Sequence, residues 1–266
     1  MHDTRRTTAA GNEALRQDEV ESLATQVLSA LASRAGHAEH EIDGVVLENF
    51  CADILKGDTA IRTDSVADLR RQGIQIGTIL DGYIPAAARE MGDRWCRDEL
   101  SFADVTIGAA RLQAILRELS APWMTDASMP VDAPNVMVVV PLEEFHTLGG
   151  MTATSQLRRM GISVCLCLGQ SEDEVLQKAA ARRFDMIAVS VSCRQKLDSA
   201  RKLVKSLRRA VEGKVPIVVG GLVVDGAEDI RALTGADHAT TDPVEALRLC
   251  GVAAPGPCAA QQATGA

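Results

Sequence analysis

Aromatic side chains are scarce in this chain, with two Trp, one Tyr and four Phe among 266 residues. Its core must therefore be aliphatic and alanine-rich. Positive charge is also in deficit: 28 Lys and Arg stand against 36 Asp and Glu, a net charge of −8. That balance argues against binding nucleic acid through a broad basic face, and no helix-turn-helix pattern opens the chain. No apolar run approaches the roughly 20 residues of a membrane-crossing helix. Arg5-Arg6 is not followed by an apolar export segment, so a cytoplasmic protein without a membrane partner is expected. The seven cysteines include no C-x-x-C pair. Cys165 and Cys167 share one face of a strand but are poorly placed to bridge each other. Reduced thiols are therefore expected rather than a disulfide framework. There is no G-x-x-x-x-G-K-[ST] loop, no G-x-G-x-x-G after the first strand and no internal repeat, so a nucleotide site has little support.

What the chain does have is 46% hydrophobic and 24% charged residues, a globular composition in a length that holds one large or two ordinary domains. Residues 1–12 are polar and read as disordered. Apolar residues at helical spacing mark helices over 13–34 and 42–55, which place a helical extension in 1–64. Asp64-Ser65 offers helix caps, and helices are expected over 65–71, 73–93 and 101–121, a helical cap spanning 65–123. Residues 124–134, rich in Pro, Asp and Ser, read as a linker. Strands at 135–141, 163–168, 185–191, 215–220 and near 237–240 then alternate with helices near 148–160, 172–183, 195–211, 226–234 and 243–250. That alternation over 135–250 predicts an α/β doubly wound, five-stranded parallel sheet. The tail 251–266 is low in complexity and read as disordered.

The most informative stretch is Asn135 to Gly150, NVMVVVPLEEFHTLGG. A run of β-branched residues between Pro134 and Pro141 reads as a strand buried on both faces. Glu144, His146 and Gly149 then fall at its carboxyl end, where open α/β sheets bind ligands. The E-x-H spacing lets the carboxylate accept the Nδ1 proton of the histidine, leaving Nε2 free for a metal. Gly149 lets a large flat ligand approach the backbone.

This spacing resembles the D-x-H-x-x-G motif of cobalamin (vitamin B12)-binding domains, with Glu144 in the usual Asp position. The resemblance implies that His146 is the lower axial ligand of cobalt, replacing the cofactor's own base. The displaced tail of the cofactor would enter a slot lined by small residues at the ends of the third and fourth strands. Ser190-Val191-Ser192 resembles the family's S-x-L/S-x-T signature, and Gly220-Gly221 its double glycine. Upstream, Met91-Gly92-Asp93-Arg94-Trp95 resembles the helical cap that covers the upper corrin face, with Trp95 over that face. The E-H pair that family caps carry ten residues after the Trp is missing, because Val105-Thr106 occupies its place. The stretches GDRWCRDELSFADVTIGAARLQ and PLEEFHTLGG resemble AerR/PpaA-type antirepressors, over about residues 65 to 250.

The resemblance implies a cobalamin-binding, light-responsive and non-enzymatic regulator. It would act through a CrtJ/PpsR-type repressor of photosystem genes, touching DNA at most jointly with that partner. With the E-H pair absent, the hydroxo or aquo form of cobalamin is the favoured ligand, with adenosyl and methyl forms as alternatives. The competing function is a methyl-carrying corrinoid protein of a methyltransferase system. Such carriers often read D-x-H-x-x-G-K, where this chain has Gly150.

Overall fold

In a computed structural model, residues 42–56, 59–124, 132–226 and 229–255 are described. The expected polar start, the helix over 13–34, most of the linker and most of the tail lie outside the described residues. The first helices are α1 (Gly44–Lys56), α2 (Thr59–Arg71), α3 (Ile76–Thr78, Ile79–Tyr83 and Ile84–Cys96, continuous) and α4 (Phe102–Ser120). Asp43 starts α1, its carboxylate accepting the backbone N–H groups of Val45 and Val46 at 2.8 and 3.2 Å. Asp64 and Ser65 do not cap a helix as the sequence reading had it. They sit inside α2, and the Ser65 hydroxyl donates instead to Asp53 on α1 at 3.1 Å.

A single α-helix over 73–93 is likewise not what forms. Ile79–Tyr83 winds as a π-turn, with the Ile84 N–H donating to Ile79 O. The reason lies one residue further on. Pro85 has no N–H to give the Asp81 carbonyl, and its ring would crowd that carbonyl in a regular α-helix. The wider turn absorbs the conflict. Helix α4 opens on a capping box in which Ser101 and Asp104 satisfy each other's backbone N–H groups. Phe50, Cys51, Ile54, Leu80, Ile84, Met91, Leu112 and Leu116 belong to one apolar core shared by α1, α3 and α4.

The second half alternates β1 (Asn135–Val140), α5 (Thr147–Arg159), β2 (Ser163–Leu168), α6 (Glu172–Ala181), β3 (Met186–Ser190), α7 (Leu197–Ala210), β4 (Ile217–Gly220), α8 (Ile230–Thr234), β5 (His238–Ala239) and α9 (Pro243–Leu249). All strands pair in parallel, in the order β2-β1-β3-β4-β5. Winding reverses at β1, so the carboxyl ends of β1 and β3 flank the topological switch point where such sheets open a crevice. Alternate strand residues serve opposite faces. Met137, Val139, Ile187, Val189, Ile217 and Val219 pack against α6, α7 and α8. Val136, Val138, Met186 and Val218 face α5 and α9.

Helix α5 carries the polar ties to the helical half. Gln113 donates to Thr147 Oγ1 at 3.0 Å, Ser120 and Ser155 share a buried hydrogen bond of 2.7 Å, and Arg159 pairs with Asp81. Arg158 adds a bond to Met124 O at 3.1 Å and, within the sheet half, one to Val164 O at 2.8 Å. Cys51, Cys96, Cys165, Cys167, Cys193 and Cys250 are all free thiols. No helix among the described residues is long and apolar enough to cross a membrane.

Candidate functional site

The loop after β1 is drawn tight by Glu144 N–H donating to Pro141 O at 2.8 Å, and α5 starts immediately after His146. His146 and Glu144 are therefore fixed by a strand end on one side and a helix start on the other. Glu144 is buried, with 6% of its surface exposed, and its carboxylate takes three donors. One oxygen meets His146 Nδ1 at 2.8 Å and the His146 backbone N–H at 3.1 Å, and the other accepts the Ser192 N–H at 2.9 Å. Burial pushes this carboxyl up, but the bonds from His146 and Ser192 outweigh it and hold the group below the usual carboxylate range. A carboxylate in that position selects the Nδ1–H tautomer, which leaves the Nε2 lone pair uncommitted. The chain leaves it so: Nε2 is buried and has no hydrogen-bond partner. Glu in place of the usual Asp is one methylene longer, and its second oxygen reaches the end of β3.

Ser190 lies beside Gly220 across the β3–β4 register, and Ser192 follows in the loop. A Cβ at Gly220 would lie 3.0 Å from Thr240 O. Gly221 sits at φ +91, a region that favours glycine, and a Cβ there would lie 2.5 Å from Val191 O. By the resemblance, this pair makes room for a ligand. The structure adds a second task, close approach of neighbouring backbone. A Cβ at Gly149 would meet nothing within 4 Å, whereas one at Gly150 would strike Val140 Cγ2 at 2.5 Å. Gly149 is thus open towards the cavity, and Gly150 seats α5 on β1.

His146, Gly149, Ser190, Ser192, Gly220, Gly221 and Trp95 all line one cavity of about 560 Å³, with Glu144 bracing its histidine. That volume falls within the range of ligand pockets. One end lies at the helical half, where Trp95 and Phe102 stand with ring centroids 6.0 Å apart. Val105 and Thr106, at the position of the missing E-H pair, also line it. From there it passes His146 and runs down between the sheet and α5 and α9, along Val138, Leu157, Met186, Val218 and Ala246. Five buried side-chain N or O atoms lack a partner among the described residues, and three of them, on His146, Thr152 and Ser192, belong to this wall. Unpaired polar atoms concentrated at one cavity point to a ligand that supplies the partners.

Several wall residues are not marked by any motif. Phe102, Arg89, Thr152 and the stretch Thr240–Pro243 all line the cavity. Burial lowers the pKa of Arg89, opposed by nearby Asp93 and Asp225. Asp242 is already used, accepting the Val244 N–H at 2.8 Å to cap α9. Helical periodicity from Thr147 would have pointed to Thr152 as part of one inward face, but gives no hint of what it faces.

The B12 binding domain model matches residues 134–254. An uncharacterized 20.5 kDa protein of the bchF-crtJ intergenic region of Rhodobacter capsulatus is 32% identical over 175 residues, spanning 66% of this chain and 91% of that protein. The chain belongs to the AerR-type family of B12-binding proteins. Among solved structures, the Methanosarcina barkeri monomethylamine corrinoid protein shares the fold, with a TM-score of 0.60 at 15% identity over 80% of this chain and 98% of that one. This AerR-type chain binds cobalamin. The residues fit that cofactor: an orphaned imidazole nitrogen backed by a carboxylate, a glycine open to the cavity and a deep apolar slot.

Proposed function

We propose that this protein is a non-enzymatic, cobalamin-dependent regulator that acts through a CrtJ-type repressor of photosystem genes. The observation that carries the reading is the buried, unpartnered Nε2 of His146, held by Glu144 in the wall of a cavity shared by the helical and sheet halves. In this reading His146 would hold the cobalt through Nε2. Ser190, Ser192, Gly220 and Gly221 frame the entrance of the tail slot, and Gly149 leaves room for the ring. Trp95, with Phe102, Val105 and Thr106, forms the wall on the cap side. An alkyl form of cobalamin would supply a light-sensitive cobalt–carbon bond, which the hydroxo and aquo forms lack, so the size of the group facing the cap would depend on the form bound. Val105 and Thr106 offer no carboxylate or imidazole to an adenosyl group, which favours a small upper ligand such as hydroxide or water. A ligand of one size then prefers one cap position, and only that difference in affinity can drive a switch.

The genomic position named for the Rhodobacter capsulatus relative, beside crtJ, supports the choice of partner. Of the ionisable side chains lining the cavity, Asp242 caps a helix, His146 is held by Glu144 and Arg89 is a guanidinium near Asp93 and Asp225, an arrangement that supports a binding role over acid–base catalysis. The fold shared with a corrinoid protein supports a second reading, a methyl carrier, which the same experiment separates.

The test is capture of a purified CrtJ-type repressor by the full chain as apoprotein, loaded with hydroxocobalamin, and loaded with adenosylcobalamin before and after illumination. Capture should require hydroxocobalamin or light, and His146→Ala should lose both cobalamin retention on gel filtration and repressor capture. Equal capture in every state, with His146→Ala retaining cobalamin, would overturn the reading. Methyl transfer to the loaded chain from a methylamine:corrinoid methyltransferase, without cobalamin-dependent capture, would establish the carrier instead.

A further inference from the structure

Helix α7 packs on the sheet face opposite α5 and α9, and none of its residues lines the cavity. Leu197, Ala200, Leu203, Val204 and Leu207 are its buried side. Arg201, Lys202, Lys205 and Arg209 are exposed. Lys202, Lys205 and Arg209 follow an i, i+3, i+7 spacing, which sets them in one row facing away from the buried side, with Arg201 beside it. From Lys202 to Arg209 the row is about 10 Å long at the helical rise.

Among the described residues none of these four side chains makes an ion pair or a hydrogen bond. Other surface cations do: Lys56 pairs with Asp53, Arg97 with Glu99, Lys214 with Glu212 and Arg248 with Glu245. The contrast is sharper because the chain as a whole is acidic, with a net charge of −8. Like charges at i,i+3 and i,i+4 repel one another along a helix. The fold therefore carries this row and gains nothing from it.

We propose that the exposed face of α7 is where this chain docks on an acidic surface of its protein partner. The inference rests on the partner reading above and assigns the surface which that reading leaves open. The composition of the row selects a protein over other anions. Four cations fall short of the roughly 6–10 phosphate contacts of a protein held by the DNA backbone, and the net charge of −8 repels a polyanion as a whole. Asp198, exposed in the first turn of the same helix, would meet only like charge on a phosphate chain, whereas a protein surface can offer it a donor. A membrane is disfavoured because no large apolar side chain of α7 is exposed to insert into it. Carboxylates on the partner would end the repulsion within the row and steer the encounter.

The experiment is capture of a purified CrtJ-type repressor by the full chain loaded with hydroxocobalamin, at salt from about 50 mM to about 500 mM. The row variant is Lys202→Glu/Lys205→Glu/Arg209→Glu. Its control places the same change of charge on exposed residues of the helical half, as Lys56→Glu/Arg70→Glu/Arg71→Glu. The row variant should lose about tenfold or more in affinity at the lowest salt and keep little of the wild type's salt dependence. It should retain cobalamin on gel filtration as the wild type does, since the row lies outside the cavity. The control should capture like the wild type. Equal loss in the control, or no loss in the row variant, overturns the inference while the partner reading stands. Loss of binding to a random-sequence DNA duplex with repressor capture intact gives the row to phosphate, and also overturns it. A wild type that captures no repressor in any cobalamin state removes the partner reading, and the inference with it. Should the row variant not retain cobalamin, Lys202→Gln/Lys205→Gln/Arg209→Gln takes its place, and capture equal to the wild type overturns the inference.

Discussion

The two faces of the sheet are built from the same strands and do different work. On one, Met137, Val139, Ile187, Ile217 and Val219 meet Leu203, Val204 and Leu207 of α7, and none of them lines the cavity. On the other, Val138, Met186 and Val218 alternate with those residues along β1, β3 and β4, yet face a cavity as well as α5 and α9. Hydrophobicity is alike on both sides. What differs is how completely the covering helices fill the space. A run of valines therefore marks a buried strand without revealing which of its faces holds a ligand.

That contrast can be broken by truncating each face in turn. Leu207→Ala, on the closed face where Leu207 is 0% exposed, should cost about 2–5 kcal/mol of unfolding free energy. The cost should be the same with and without cobalamin. Val138→Ala, on the slot side, should cost the apoprotein about 1 kcal/mol or less, since its contacts are already incomplete on one side. Its larger effect should appear as weaker cobalamin retention. Urea unfolding of both variants, apo and loaded, checks this, and equal apoprotein costs would erase the distinction between the faces.

Glu144→Gln sharpens the comparison at the strand ends. An amide still accepts from the Nδ1–H of His146 but without charge, and outer-shell changes of this kind cost about 10–100-fold in metal affinity. The variant also has a signature in pH. The carboxyl of Glu144 titrates below its usual value in the folded chain, so its contribution to stability is full above about pH 4.3 and fades as pH falls through the lowered value. The stability gap between wild type and Glu144→Gln should close over that acidic interval and stay constant at neutral pH.

The smallest expected effect concerns edge strand β2. The hydrogen bond from Cys167 holds the Cys165 thiol down to about 6, helped by Lys178, Arg182 and Arg158, while burial opposes it. Thiolates alkylate and thiols do not. Iodoacetamide at pH 7 should label half-buried Cys165 before Cys51, which burial raises to about 12, or Cys250, raised to about 11. Peptide mapping over time reads the order.

The strand and helix order was legible in the sequence because periodicity and turn residues are local. The strand expected at 135–141 forms as Asn135–Val140, and the one at 163–168 as Ser163–Leu168. Helix starts were harder. Asp64-Ser65 has the chemistry of a cap, but a partner on another helix, Asp53, takes the serine hydroxyl. The π-turn at Ile79–Tyr83 needed the conflict between Pro85 and Asp81 to be weighed against packing, which spacing alone does not contain. At the site, residues read from strand-end motifs gathered at one cavity because the fold brings those ends together. Phe102, Arg89 and Thr152 escaped because each is on a helix, and only the packed structure decides which helical side meets the void.

The ties between the helical and sheet halves have a mechanical consequence. Gln113, Ser120 and Asp81 are all fastened to one helix, at Thr147, Ser155 and Arg159 of α5. That helix works like the spine of a book. A ligand as broad as a corrin would meet both covers at the cavity, whose lining takes Trp95 and Phe102 from one and Phe145 and Gly221 from the other. If the covers part to admit it, the expected motion is a swing about that spine, where these bonds hold one side together.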